Sequence, residues 1–398
     1  MLRCLKQIVV WGALSLSVAG FAQAKDIDIS GVRFGVNGKV TRFVLDMSRK
    51  TTPQIFLLAD PYRVVIDLPE ANWHASDDVK TSGAVAGFRH GLFTPGTYRI
   101  VLDLDKPATV QSIFNLPSKG GYGPRLVLDL QASSRGDFLK AVAESKKARP
   151  IPAPTVVDAT PMPRRKGGKR IIVLDPGHGG PDPGNLGVIG VYEKTIVLNI
   201  AKEIRRELEK TGRYEVRMTR DRDIFWPVRE RFRIARRMHA DLFISVHADS
   251  ISDHRTKGGS VYNLSEVASD KEAARLAARE NKSDVIAGVN LDVVDDDVSN
   301  ILIDLAQRET MNFSAQFGEL LVRELRSEDV PMLPRSHRYA NLGVLKAPDI
   351  PSVLMEVGYL TNRSNAKFLN SSKGRKRIAK ATVIAVDKFF DHMVALGR

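Results

Sequence analysis

A run of apolar residues, Ile171–Leu174, leads directly into the loop Asp175–Gly180, which holds Pro176 and a single histidine, His178. Four consecutive apolar residues are typical of a parallel strand that is buried on both faces. Proline and glycine end the strand, and the glycines leave the backbone beside the imidazole unobstructed. Ligands of α/β sheets bind at the carboxyl ends of the strands, so this segment predicts an α/β domain with a functional site at His178.

Two later segments repeat the pattern of a mostly apolar strand that ends in a polar side chain. Leu242–Val246 leads to His247, and Val353–Met355 leads to Glu356. Glu193 precedes apolar residues at helical spacing and therefore begins an amphipathic helix. The chain thus repeatedly places a polar group where an α/β sheet binds its ligands.

These side chains predict a zinc site. Two imidazoles and one carboxylate from separate elements, His178, Glu193 and His247, suit Zn²⁺ with one position left open for water. Glu356 is the expected general base, because a carboxylate beside the metal that is not a ligand can take a proton from water. His254, on a polar loop shortly after His247, is an alternative ligand.

Together the motifs resemble the zinc-dependent N-acetylmuramoyl-L-alanine amidases of the Amidase_3 type, which are cell-wall hydrolases. The matching segments are Asp175–Gly180, Glu193, Ser245–Asp249 and Glu356–Asn362, and the resemblance covers roughly residues 169 to 393. It implies cleavage of the amide bond between N-acetylmuramic acid and L-alanine in peptidoglycan. A zinc carboxypeptidase or other peptidase of wall peptides, and a non-catalytic wall-binding protein, are the alternatives.

The start of the chain predicts export. Arg3 and Lys6 precede an apolar run from Ile8 to about Phe21, and Ala22–Ala24 matches the small-residue rule for cleavage. Residues 1–24 are therefore expected to be a signal peptide, with an uncleaved membrane anchor as the alternative. The mature protein would be periplasmic and would have no stable membrane span.

Charge and cysteine content narrow the possible partners. The formal net charge of +14 favours polyanions such as wall polymers, an anionic membrane surface or nucleic acid. The aromatic-rich basic motif of an RNA-binding sheet is missing from the sequence, which argues against nucleic acid. Cys4, the only cysteine, lies in the predicted signal peptide, so the metal site must use nitrogen and oxygen ligands.

Residues 25–133 predict a small all-β sandwich, because short alternating segments are separated by turns. The clearest predicted strands are Thr41–Met47, Tyr62–Leu68, Tyr98–Leu104 and Arg125–Leu130. This region resembles the AMIN domain of Gram-negative envelope proteins, which implies that it directs the enzyme to wall polymer at division sites. A structural spacer is the alternative.

A Pro-rich, basic linker over residues 134–168 is expected to be extended and solvated. The remaining residues, 169–398, predict an α/β catalytic domain of the zinc-amidase type, with a mixed sheet flanked by helices. Further predicted elements are strands at Tyr214–Thr219 and Leu342–Leu345, a basic helix with a solvated face at Trp226–Met238, and a closing helix at Phe368–Met393.

An insertion over residues 264–307 interrupts this domain. Glu266–Asn281 suits a helix, the acidic run Leu291–Asp297 follows, and a long amphipathic helix extends from Val298 to about Arg326. The insertion resembles the regulatory segment of the division-associated amidases. That resemblance implies a helix across the active site, a carboxylate on the metal's open position, and release by an activator with a LytM-type domain. Glu280 best matches the blocking carboxylate, and an ordinary surface helix is the alternative.

Overall fold

A computed structural model of the 398-residue chain describes residues 26–147, 168–289 and 301–396. The predicted signal peptide, the Pro-rich part of the linker and the acidic run of the insertion lie outside the described residues. Within the described ranges, helices long and apolar enough to cross a membrane are absent.

The N-terminal region is a β-sandwich, as predicted. A five-stranded sheet has the order β5-β1-β2-β9-β8, and a four-stranded sheet has the order β3-β4-β7-β6. The strands are β1 (Ile27–Asn37), β2 (Val40–Met47), β3 (Gln54–Leu58), β4 (Arg63–Pro69), β5 (Ala71–Trp73), β6 (Val85–Thr94), β7 (Thr97–Leu104), β8 (Ala108–Leu116) and β9 (Arg125–Ala132). Alternating side chains such as Phe43, Leu128, Ile66 and Leu102 fill one core between the two sheets.

The first described part of the predicted linker is a helix, α1 (Arg135–Lys147), rather than an extended chain. Ser134 caps it by accepting a hydrogen bond from the Asp137 amide at 3.1 Å. Phe138 and Val142, four residues apart on one helix face, are buried in the core of the sandwich. The prediction of an extended segment is therefore wrong for these residues, because two apolar side chains anchor them.

The C-terminal region contains a mixed six-stranded sheet in the order β11-β10-β12-β15-β13-β14. Its strands are β10 (Arg170–Pro176), β11 (Tyr214–Met218), β12 (Leu242–Asp249), β13 (Gly259–Leu264), β14 (Met332–Ala340) and β15 (Ser352–Tyr359). All neighbouring pairs are parallel except β13 and β15, which are antiparallel. The predicted fold class, an α/β domain with a mixed sheet after an all-β sandwich, is confirmed.

Helices cover both faces of this sheet. They are α2 (Glu193–Lys210), α3 (Val228–Arg237), α4 (Lys271–Glu280), α5 (Ser283–Ile286), α6 (Ile301–Ser327), α7 (Arg363–Asn370) and α8 (Ser372–Ala395). Ile172 and Leu174 of β10 pack in a core with α2, α6 and α8, whereas Ile171 and Val173 pack in a core with α3 and α4. Burial of the strand on both faces explains its uninterrupted apolar run.

Two predicted elements of this region differ from the structure. Leu342–Leu345 was expected to be a strand, but Gly343–Leu345 is a short 3-10 turn. The closing helix predicted over Phe368–Met393 is broken at Ser371, whose hydroxyl accepts a hydrogen bond from the Gly374 amide at 2.9 Å. That hydroxyl caps α8, so the chain forms two helices instead of one.

Phe317 of α6 gives a test of this packing. Its side chain is fully buried and meets Phe389 of α8 edge-on, with ring centroids 5.3 Å apart. Phe317→Ala should lower the free energy of unfolding of this region by about 3–5 kcal/mol, because it opens a cavity between two helices. Urea denaturation monitored by circular dichroism measures the change. Val394→Ala is the control, since Val394 is 66% exposed; equal losses in the two variants would contradict the assigned packing.

Candidate metal centre

The loop that carries His178 is held in an unusual backbone conformation by a buried arginine. His178 has a φ of 60°, in the left-handed region that side chains other than glycine rarely occupy. Arg231 of α3 donates to the carbonyl oxygens of His178 and Pro176, both at 2.9 Å, and pairs with Asp175 at 3.0 Å. Arg231 is only 3% exposed, so the expectation of a solvated basic helix is wrong at this position.

The two imidazoles approach each other across Gly177. A Cβ atom at Gly177 would lie 2.3 Å from the ring of His247, so only glycine leaves room for that ring. The centroids of the His178 and His247 rings are 4.9 Å apart, and the rings meet edge to face. The glycine of the loop therefore permits the convergence of the two predicted ligands.

Glu193 lies at the first turn of α2 and is completely buried. One of its carboxylate oxygens, Oε2, accepts a hydrogen bond from the Asn185 side chain at 2.7 Å. The other oxygen, Oε1, accepts from the Ala248 amide at 2.9 Å and lies 3.0 Å from His178 Nε2 and 3.4 Å from His247 Nδ1. The carboxylate is thus fixed in direction and aimed between the imidazoles.

Glu280, the last residue of α4, adds a second carboxylate to the same point. Its Oε2 lies 3.1 Å from His247 Nδ1 and 3.6 Å from His178 Nε2. Its Oε1 accepts hydrogen bonds from the Arg279 guanidinium at 3.0 and 2.9 Å. Arg279 also pairs with Asp249 at the end of β12, which ties the helix end to the sheet.

The spacing of these side chains suits a shared divalent cation. The four distances between an imidazole nitrogen and a carboxylate oxygen, 3.0, 3.1, 3.4 and 3.6 Å, are close to the separation of about 3.3 Å between ligands that each lie about 2.05 Å from zinc. Among the described residues, hydrogen-bond partners are missing for three of the buried facing atoms, His178 Nε2, His247 Nδ1 and Glu280 Oε2. Buried polar atoms need partners, and a shared cation would supply one to all three.

The charges of the cluster depend on one another. Burial lowers the pKa of His247, but the carboxylates of Glu280 and Glu193 raise it to about 9. Burial raises the pKa of Glu280, but the neighbouring His247 and His178 lower it to about 2. Two carboxylates held in the charged form match the charge of a divalent cation once the imidazoles lose their protons.

Glu356 lies on β15, directly opposite His247 in the register with β12. It is 3% exposed, and partners for both of its carboxyl oxygens are missing among the described residues. Burial raises the pKa of Glu356 well above its ordinary value, and the charge of Asp249 raises it further. A proton therefore binds this carboxyl more readily than an exposed glutamate, as a general base requires.

Asp182 is a site residue that the sequence analysis missed. It is fully buried, and its Oδ2 lies 2.8 Å from His178 Nδ1. The same oxygen accepts a hydrogen bond from Ser283 of α5. By holding Nδ1, the carboxylate directs the other imidazole nitrogen, Nε2, into the cluster. Its segment, Pro181–Gly184, has the composition of an ordinary turn, so the sequence carried no signal for this role.

The structure brings together all of the predicted site residues except the alternative ligand. Two groups have ligand atoms that lie within 4.8 Å of one another: His178, Glu193 and His247 form one, and His247, Glu280 and Glu356 form the other. His254 belongs to neither group of described residues. Its Nδ1 lies 3.0 Å from the carbonyl oxygen of Thr361.

The cluster is closed in this conformation. The cavity beside it has a volume of about 20 Å³ and is lined by both imidazoles, Glu280, Ser283 and residues of α3. That volume holds about one water molecule. The end of α4 and the start of α5 therefore occupy the space in front of the candidate metal ligands.

Comparison with known proteins gives matches to both regions. The profile of the N-acetylmuramoyl-L-alanine amidase family matches residues 172–388, and that of the AMIN domain matches residues 31–130. The amidase AmiC of Neisseria meningitidis serogroup B is 34% identical over 402 residues, covering 96% of this chain and 95% of that protein. AmiC of Escherichia coli O6:H1 is 31% identical over 401 residues, covering 96% and 94%.

Among solved structures, the catalytic domain of the amidase CwlV from Paenibacillus polymyxa is 22% identical, with a TM-score of 0.41, and covers 56% of this chain and 98% of that domain. The family profile covers more than half of this chain, and the two full-length relatives exceed 30% identity. The chain therefore belongs to the N-acetylmuramoyl-L-alanine amidase family and carries an AMIN domain before its amidase domain.

Proposed function

We propose that this protein is a zinc-dependent cell-wall hydrolase that cleaves the amide bond between N-acetylmuramic acid and L-alanine in peptidoglycan. The observation that carries the proposal is the convergence of His178, Glu193 and His247 beside Glu356, a buried carboxyl without a hydrogen-bond partner among the described residues. Membership of the amidase family supports the substrate class. The comparisons lend no support to the peptidase or to the non-catalytic alternative.

Metal binding, orientation of the first ligand and proton transfer are carried out by different residues of the site. His178, Glu193 and His247 would hold the cation, and Asp182 fixes the orientation of the His178 ring. Bound zinc would polarise the lactyl carbonyl and acidify the attacking water. Glu356 accepts the proton of that water and passes it to the departing L-alanine nitrogen, a transfer favoured by its raised pKa. The products are a glycan strand without its peptide and a free stem peptide.

In the resting protein Glu280 inhibits this reaction. Its Oε2 points at the position where water and substrate would bind, and the cavity beside it is too small for a muramoyl peptide. Arg279 holds the carboxylate in that position through the other oxygen. An activator with a LytM-type domain would free the site by moving α4.

The remaining assignments follow from the sequence and the family. Residues 1–24 are a signal peptide, and the protein acts in the periplasm of a Gram-negative bacterium. Residues 25–133 direct the enzyme to wall polymer at the division septum, and residues 134–168 connect them to the amidase domain, 169–398, with its regulatory insertion at 264–307. The biological role is separation of daughter cells. The AMIN profile match and the AmiC relatives support this arrangement.

Removal of the blocking carboxylate tests the inhibition. Glu280→Ala should raise the release of dye-labelled fragments from sacculi by at least about tenfold without an activator, because a competing ligand leaves the metal. Glu272→Ala on the same helix is the matched control, since the side chain of Glu272 is 44% exposed and pairs with Arg275. Equal release by wild type, Glu280→Ala and Glu272→Ala would show that Glu280 does not inhibit.

The general base is best tested in the Glu280→Ala background, where activity does not depend on an activator. Adding Glu356→Gln should lower amide cleavage by about 10²–10⁴-fold, because the amide cannot accept the water proton. The zinc content per protein molecule, measured by elemental mass spectrometry, should stay near that of Glu280→Ala. Mass spectrometry of the digested sacculi identifies the bond cut. Normal cleavage by the double variant, or cleavage between amino acids by the parent, would contradict the proposed reaction.

Asp182→Asn tests the support of the first ligand. The amide is a weaker acceptor than the carboxylate for His178 Nδ1, so the affinity for zinc should fall by about 10–100-fold. Competition with a chromophoric chelator measures that affinity directly. Asp253→Asn, at a solvent-exposed carboxylate on the loop before His254, should leave it unchanged. An unaltered affinity of Asp182→Asn for zinc would show that Asp182 does not position His178.

A further inference from the structure

The N-terminal sandwich touches the same segment that carries Glu280. Three of its arginines donate hydrogen bonds to successive main-chain carbonyls of residues 285–288, which form the end of α5 and the turn after it. Arg63 bonds the first of these carbonyls, and Arg89 bonds the second at 3.0 and 2.8 Å. Arg99 bonds the third and fourth at 3.3 and 3.0 Å. We call α4, α5 and the turn after them, residues 271–289, the inhibitory segment. One surface of the sandwich therefore binds the last turn of this segment.

Carboxylates of the sandwich itself orient two of these arginine side chains for the contact. They lie on β4, β6 and β7 of the four-stranded sheet. Asp67 holds Arg99 through two hydrogen bonds of 2.6 and 2.7 Å, and Arg99 is only 1% exposed. Asp103 pairs with Arg89. Guanidinium groups that are already oriented lose little freedom when they bind, so the surface is a preformed set of hydrogen-bond donors for main-chain carbonyls.

The segment is shaped to fit this surface. The last carbonyls of a helix have no partner within the helix, and cationic side chains satisfy them well. Gly288 has a φ of +72°, and a Cβ atom there would lie 3.0 Å from a methyl group of Val65 and 3.2 Å from one of Val101. A larger residue at Gly288 would be strained by the positive φ and crowded against these methyl groups, which disfavours this contact with the sandwich.

The sandwich is also docked beside the His178 loop. The Phe225 amide donates to the Leu92 carbonyl at 3.0 Å, and the Phe93 and Phe225 rings stack with centroids 5.6 Å apart. Gly91 lies so close to the backbone of Gly180 that an added Cβ atom would be 2.4 Å from it. The arginine surface therefore has a fixed place relative to the candidate metal centre.

We propose that the N-terminal sandwich is a second lock on the inhibitory segment, in addition to any role in targeting. By holding residues 285–288, Arg63, Arg89 and Arg99 keep the end of α4 in place and Glu280 at the cluster. The inference rests on the proposed inhibitory role of Glu280. The N-terminal sandwich thereby has a regulatory function within the chain. Release of α4 requires that the hydrogen bonds from the three arginines to residues 285–288 break.

Two variants of the mature full-length protein test the lock from opposite sides. Arg89→Ala removes one set of hydrogen bonds between the sandwich and the segment, and Gly288→Val disfavours the bound conformation of the segment without altering the sandwich. Each should speed amide hydrogen exchange of residues 283–289 about tenfold and raise the release of dye from sacculi without an activator. Arg33→Ala is the matched control, because Arg33 pairs with Asp46 on the other sheet and should change neither quantity.

The pattern of results separates the lock from the proposed inhibition. If the lock exists, adding Arg89→Ala to Glu280→Ala gives little further activity, because the site is already open. Unchanged exchange of residues 283–289 in both variants would overturn the lock, and so would faster exchange without a rise in activity while Glu280→Ala is active. Failure of the inhibition itself would look different, because Glu280→Ala would then be no more active than the wild type. Unchanged exchange of β4 and β7 shows that the sandwich of Arg89→Ala remains folded.

Discussion

The convergence of two imidazoles and two carboxylates in a buried pocket is the interaction on which the rest of the structure depends. Ionised groups buried without partners are costly, and like charges placed together are costlier still. His178, His247, Glu193 and Glu280 are each at most 6% exposed, so they stay together only because each balances the others or shares a cation. The surrounding strands, helices and loops hold these four side chains in fixed orientations.

The residues that support the candidate metal centre are themselves charged and buried, and they connect it to the rest of the fold. Arg231 reaches from α3 to the carbonyls of the His178 loop and to Asp175, whose second oxygen accepts from Ser245 of β12 at 2.8 Å. The loop is therefore fastened to a helix and to the neighbouring strand at once. Asp182 then sets the orientation of the ring. A fixed, left-handed His178 is the result of these contacts and would be unfavourable without them.

Sequence patterns predicted the residues whose position follows from the period of a strand or helix, and failed where tertiary contacts decide. His247 and Glu356 are predictable because apolar strands deliver them to one sheet edge. Arg231 is not, because charges on a short basic helix indicate solvent until the loop that they hold is known. The strand β14, over Met332–Ala340, was missed because proline and charged residues on an edge strand hide its alternation. The contact of Arg89 with α5 joins residues 197 positions apart, beyond the reach of any local pattern.

The proposed inhibitory segment is held by several contacts, and this number of contacts has a consequence for its release. Moving a two-state equilibrium from almost fully closed to almost fully open takes about 5.5 kcal/mol of differential binding. A hydrogen bond to a charged group contributes about 1.5–3 kcal/mol, so no single contact of Arg279, Ser283 or the three arginines of the sandwich needs to supply the whole difference. A partner that binds the open segment can displace these contacts one after another. The proposed inhibition can thus be firm at rest and still be reversed by one protein interface of ordinary strength, because the sandwich and the amidase domain each hold only part of the segment.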